Sequence, residues 1–188
     1  MSRLFLLLVC SFLFLALACG DDDDLSPITN IGRQDGWFVQ AVDSDFASRF
    51  DAQLAALPDA FFADNDTTRT GVEAIYADRI ERLTNVEACD RDDILFFFPD
   101  GEILTAKGDV TCDAPGDPSV TDFFDRLFYA ASADGSTFRL RTRDNAEIGR
   151  FDVSVLNGDR FVFARDVTVT DTLIGDFTYA LEYDLVAR

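Results

Sequence analysis

The stretch ILFFFPDGEILTAKGD, residues 94–109, decides the fold. Two short runs of Ile, Leu and Phe flank Pro99-Asp100-Gly101-Glu102, where Pro and Gly supply turn geometry, so a β-hairpin of Ile94–Phe98 and Ile103–Asp109 is expected. The period of two continues outward to the C-terminus, through Phe123–Ala131, a turn at Asp134-Gly135, Thr137–Thr142 and Ala146–Leu156. Asn157-Gly158 then marks a tight turn before Arg160–Thr170. In the last strand, Asp176–Val186, the side chains of Phe177, Tyr179, Leu181, Tyr183 and Leu185 point one way. Upstream, Gly36–Val42 reads as a first strand carrying the only tryptophan, Trp37, which brings the count to eight. Consecutive strands joined by short turns pair as a meander, and eight of them can close into an antiparallel up-and-down barrel that leaves no edge, whereas a β-sandwich of the same strands fits so few long crossovers less well. A barrel of this size either fills with side chains or holds one small ligand.

Between the first strand and the hairpin the period changes. Behind a cap at Asp43 or Ser44, Phe46, Phe50, Leu54 and Leu57 recur at helical spacing until Pro58. A second helix fits Thr70–Leu83, with Val72, Ile75, Tyr76, Ile80 and Leu83 on its apolar face. The expected fold is therefore mainly β, with a two-helix insertion after the first strand.

Composition narrows the function. The 188 residues carry 35 acids against 16 bases, a net charge of −19, which repels nucleic acid. Asp supplies 29 of the acids, and every base but Lys107 is Arg. The chain has no histidine, which removes the usual general base and commonest metal ligand, so neither a catalytic residue nor a cofactor is expected.

Arg3 is the one charge before a run from Leu4 to Ala18 that is apolar except for Ser11. The run is shorter than the roughly 20 residues of a spanning helix and reads as a signal peptide over residues 1–18. It ends in Ala16-Leu17-Ala18-Cys19-Gly20, with small residues at −3 and −1 of a cysteine, and resembles a bacterial lipobox. That resemblance implies cleavage after Ala18, lipid attachment at Cys19 and a stable membrane anchor. Asp21–Asp24 cannot pack, so residues 19–35 form a solvated, lipidated tether. Acid tracts after the lipidated Cys resemble surface-export signals of Gram-negative lipoproteins, and Gly20 stands where an inner-membrane retention signal would have Asp. The expected location is the outer membrane, facing outward.

Once residues 1–18 leave, the cysteines besides Cys19 are Cys89 and Cys112. A turn that sets Phe98 against Glu102 brings these two within one residue of opposite each other when the strands are extended. In an oxidising compartment a disulfide there would contribute about 3 kcal/mol. The span CDRDDILFFFPDGEILTAKGDVTC, Cys89 to Cys112, resembles a lipocalin-like (calycin-type) family of Gram-negative lipoproteins, matching its Cys, Asp-Asp pair, aromatic strand, Asp-Gly turn and second Cys. Gly36-Trp37-Phe38-Val39 and Tyr179-Ala180-Leu181-Glu182-Tyr183 resemble the opening and closing strands of the same family. Gly36 and Trp37 are adjacent, where true lipocalins have Gly-x-Trp. The resemblance implies a small barrel over residues 36–188 and a small apolar ligand, and implies no catalytic residues.

Other clusters read as structure. In Asp64-Asn65-Asp66, Arg69 and Ile75 occupy the positions where a calcium loop needs Gly and Glu. Asp90, Asp92 and Asp93 could gather a cation but read as solvated charge. Arg139, Arg141 and Arg143 alternate with Phe138 and Leu140, which places the arginines on an outer face, opposite acids such as Glu182 or Asp184. Inward-facing Trp37, Phe177, Tyr179 and Tyr183 are the candidate ligand lining. The leading expectation is an envelope-anchored protein binding a small hydrophobic molecule. Its rival is a non-catalytic interaction module with a solid barrel that contacts another envelope protein.

Overall fold

A computed structural model describes residues 30–84, 86–111 and 120–188. The signal peptide, Cys19, most of the tether and Cys112 lie outside the described residues. β1 (Trp37–Ser44) is followed by α1 (Phe46–Ala56), α2 (Asp59–Asp64), α3 (Arg69–Thr84) and α4 (Ala88–Arg91). Then come β2 (Ile94–Phe97), β3 (Ile103–Ala106), α5 (Val120–Phe124), β4 (Phe128–Ala131), β5 (Thr137–Arg141), β6 (Glu147–Leu156), β7 (Arg160–Val169) and β8 (Phe177–Ala187).

All eight strands form one antiparallel sheet in the order β3-β2-β1-β8-β7-β6-β5-β4. Its two edges meet: Glu102 bridges Phe128, Ile103 N–H donates to Leu127 O at 2.8 Å, and Tyr129 N–H donates to Gly101 O at 2.7 Å. The sheet is thus a nearly closed up-and-down barrel, joined along β3 and β4 only near the tip of the first hairpin. That hairpin has the expected register, with Leu95 opposite Thr105 and Phe97 opposite Ile103, and Phe98 N–H donates to Glu102 O at 2.8 Å. Gly101 adopts φ +92°, which a residue with a Cβ rarely does. The Asn157-Gly158 turn also forms, held by Asn157 Oδ1, which accepts the N–H groups of Asp159 and Arg160.

The insertion departs from expectation in having four helical segments. Pro58 stops α1 and then caps α2, while α4 replaces the strand that the hairpin register would extend to Cys89. Cys89 is therefore buried on a helical turn, and the ladder ends at Ile94 and Ala106. α1 buries Phe46, Phe50 and Leu54 as its spacing requires, with Ser44 Oγ accepting the Phe46 N–H. In α3, Val72 and Tyr76 are buried, but Ile75 is 64% exposed. The buried stripe is centred further round the helix, where Arg79 lies 5.1 Å over the Phe46 ring. The fourth strand begins as α5 rather than at Phe123, because Arg126 takes φ +60° and turns Phe124 into the core.

One end of the barrel carries the hairpin turns at Gly101, Gly135 and Gly158 and the segment leading into β1. Here Ile31 is fully buried, and its carbonyl accepts Trp37 Nε1–H at 2.8 Å. The opposite end is covered by the helices, chiefly α1 on β8.

Candidate functional site

The barrel interior can be read in layers from the paired inner residues of β7 and β8. From the turn end these are Phe161 with Leu185, Phe163 with Tyr183, Arg165 with Leu181, Val167 with Tyr179, and Val169 with Phe177. The first two layers belong to a continuous stack of rings. Trp37 lies 5.9 Å from Phe161, Phe161 lies 4.6 Å from Phe163, and Phe163 lies 5.3 Å from Tyr183. Phe97, Phe138 and Phe151 fill the rest of that half, and Phe124 of α5 closes against Tyr183 at 5.1 Å. The last two layers belong to a second cluster, in which Phe46 of α1 sits 4.9 Å from Tyr179 and 5.4 Å from Phe177.

The four candidate lining residues are all buried, at 0% for Trp37, 9% for Phe177, 4% for Tyr179 and 7% for Tyr183. They are not gathered into one patch. Trp37 belongs to the turn end, Tyr183 to the middle of the barrel, and Phe177 and Tyr179 to the roof formed by α1. Among the described residues no ring contact joins the two clusters. The layer between them holds Leu181, Val167, Gly149 and one cation.

That cation, Arg165, is the residue sequence reasoning passed over, although Phe161, Phe163, Arg165, Val167 and Val169 alternate on one face of a single strand. Its guanidinium lies 4.9 Å over the Phe151 ring, and Nη1 donates to Ile148 O at 2.9 Å. Nε is buried and has no hydrogen-bond partner. Gly149 gives the guanidinium its berth, since a Cβ there would sit 1.9 Å from Nη1. Arg165 as a whole is only partly buried. Burial pushes the Tyr183 phenol up to about 12, against the opposing pull of nearby Arg165, so this hydroxyl stays protonated and able to donate at neutral pH.

The acids near Cys89 are not solvated, contrary to expectation. Asp90 and Asp93 are each 2% exposed. Asp93 accepts from Lys107 Nζ at 2.8 Å, from Gly108 N–H at 2.9 Å and from the Thr121 hydroxyl. Asp90 accepts from the N–H groups of Glu87 and Thr121, and Asp92 accepts from Val110 N–H at 2.8 Å. Lys107 also reaches Asp122 at 2.6 Å. Burial works to lower the Lys107 pKa, but the bonds to Asp122 and Asp93 outweigh it and leave it raised. These carboxylates tie α4, the first hairpin and α5 together. Among the described residues no group of three or more acids, cysteines or histidines is arranged to hold a metal ion.

The arginine stripe does face outward, with Phe138 and Leu140 fully buried beneath it. Its cross-strand neighbours differ from those expected. Arg139 stands opposite Arg150, and Arg141 opposite Glu147, while Asp184 is taken by Arg160 through two bonds of 2.8 Å. No protein-family model, curated protein or solved structure matches the chain, so the reading of this interior rests on its own geometry.

Proposed function

We propose that the protein is a non-catalytic lipoprotein of the cell envelope, anchored at Cys19, whose barrel binds one small hydrophobic molecule beneath the helical cover. The observation that carries this reading is the break between the two aromatic clusters. Elsewhere ring meets ring, but around Leu181, Val167 and Gly149 the interior is lined by small and aliphatic side chains and the Arg165 guanidinium, with Tyr179 and Tyr183 on either side along β8. Apolar walls with a few converging polar groups are the usual lining of a small-molecule site, and this layer has such a lining. Pairing Cys89 with Cys112 would fasten the segment that leads from the helices into the first hairpin. The burial of Cys89 at 3% suits that role.

Native mass spectrometry of the full chain purified from envelope membranes tests the reading. The expected result is one stoichiometric added mass that disappears on denaturation. A bare mass under gentle conditions would favour the solid-barrel interaction module instead. Two companion measurements address the covalent chemistry. Cys19→Ala should release the protein from the membrane fraction, and non-reducing peptide mapping should recover Cys89 joined to Cys112.

A further inference from the structure

We infer that the outer face of the first hairpin is a docking surface for a bilayer of neutral lipids, with Phe96, Phe98 and Leu104 seated against it. The inference rests on the anchored reading above, in which Cys19 carries the lipid.

Along β2 the inward side chains are Leu95 and Phe97, both buried, so Phe96 and Phe98 point outward. Across the ladder, Leu104 of β3 stands opposite Phe96. Phe98 is 40% exposed and Leu104 is 36% exposed, while Phe96 is partly buried. The two outward rings lie 6.3 Å apart, and none of the three side chains belongs to the hydrophobic core. Outward pairs on the far wall are charged or carry hydroxyls, as where Arg139 stands opposite Arg150 and Thr168 opposite Thr178. Contiguous exposed apolar side chains of this kind mark a contact surface.

The place where the chain leaves the barrel selects what covers that surface. Asn30 shares a shallow recess with Asp134, Gly135 and Ser136, so the segment from Cys19 arrives at the turn end. Phe98 adjoins the Pro99-Asp100-Gly101 turn at that same end. Asn30 stands eleven residues after Cys19, a reach of at most about 40 Å. A linker of that length keeps the panel near the bilayer at an effective concentration of order millimolar, so a few apolar side chains are enough to dock. A second copy of the chain fits less well, because a stable dimer buries about 20–30 residues a side and this panel is far smaller. Asp100 and Glu102 in the adjoining turn, with a net charge of −19, select uncharged headgroups over anionic ones.

The test places the full lipidated chain in phosphatidylcholine vesicles with and without bromine on the acyl chains. Tryptophans are introduced by Phe98→Trp, by Leu104→Trp and, on the far wall, by Thr168→Trp. Trp37 is fully buried, and the unsubstituted chain sets its background. Phe98→Trp and Leu104→Trp should lose emission in the brominated vesicles and shift to the blue, and Thr168→Trp should do neither. Adding phosphatidylglycerol, which is anionic, should weaken the loss. If both panel probes are quenched no more than Thr168→Trp, the docking surface is overturned, while flotation of the lipidated chain with the vesicles keeps the anchor. Unquenched panel probes together with cross-linking of two copies through the hairpin would give the face to a second copy instead. Quenching that grows with anionic lipid would overturn the choice of a neutral bilayer. A chain with no lipid on Cys19 that does not float would remove anchor and docking together. The two panel probes sit on different strands, so a folding defect in one leaves the other to decide.

Discussion

Replacing Asp93 with Ala should unfold the junction between the helical insertion and the barrel at modest denaturant. The carboxylate is 2% exposed and accepts from the Gly108 N–H, the Thr121 hydroxyl and Lys107 Nζ. Lys107 is half exposed and keeps Asp122, so its share of the loss is small. Gly108 N–H and the Thr121 hydroxyl each lose a hydrogen bond to this carboxylate. The expected cost is about 3 kcal/mol, at about 1.5 kcal/mol for each of the two hydrogen bonds lost to a charged carboxylate. In a domain of this size that lowers Tm by about 6–12 °C. Urea unfolding followed by the emission of Trp37 reads the loss directly, because the indole is fully buried and is the only one in the chain. Asp122→Ala is the control: its side chain is 45% exposed, and its removal should cost under about 1 kcal/mol. A cost for Asp93→Ala no larger than that of Asp122→Ala would refute the reasoning.

Gly36 has φ +73°, and a Cβ there would lie 2.4 Å from Ile94 Cγ2, so Gly36→Ala should cost about 1–3 kcal/mol in the same urea assay. Stability should fall as pH climbs from 10 to about 12. Burial, joined for Tyr76 by its bond to Asp171, raises the phenols of Tyr76 and Tyr183 from 10.0 to about 12, so the folded state holds protons that the unfolded state has released. Tyr183→Phe should flatten that slope, and an unchanged slope would count against the burial argument. Ile75→Glu should change stability by no more than about 0.5 kcal/mol, since the side chain is 64% exposed; a loss near 2 kcal/mol would mean that α3 presents a different face.

The barrel was legible because its information is local. Alternation along Phe177, Tyr179, Leu181, Tyr183 and Leu185 and the Pro99-Asp100-Gly101 turn each settle their own geometry, and the hairpin register follows from the turn. What remained hidden depended on contacts distant in sequence. Ile75 fits a helical stripe by spacing, but which flank of that stripe is buried depends on where Phe46 meets α3. The segment around Phe123 has the composition of a strand, yet it coils because its rings are drawn towards Phe163 and Tyr183. Asp90 and Asp93 resembled their many exposed counterparts until Lys107 and Thr121 were brought over them. Arg165 was within reach of the pattern, since it occupies an inward position in a strand whose boundaries were already anticipated. It drew no notice because a cation in that row reads as an exception to the alternation.

The two seams of the barrel are unequal. β3 and β4, neighbours in the chain, touch only near the first hairpin tip, whereas β1 and β8, its opening and closing strands, pair from Trp37 with Ala187 to Ser44 with Leu181. The wall that completes the cylinder is therefore made from the first and last strands of the barrel to be synthesised. A nascent chain can form its hairpins one after another, but β1, which meets β2 in register only at Trp37 and Leu95, gains its long partner only when β8 emerges, and contacts of such long sequence separation are slow to form. Completion of the barrel wall is thereby deferred until β8 has been made.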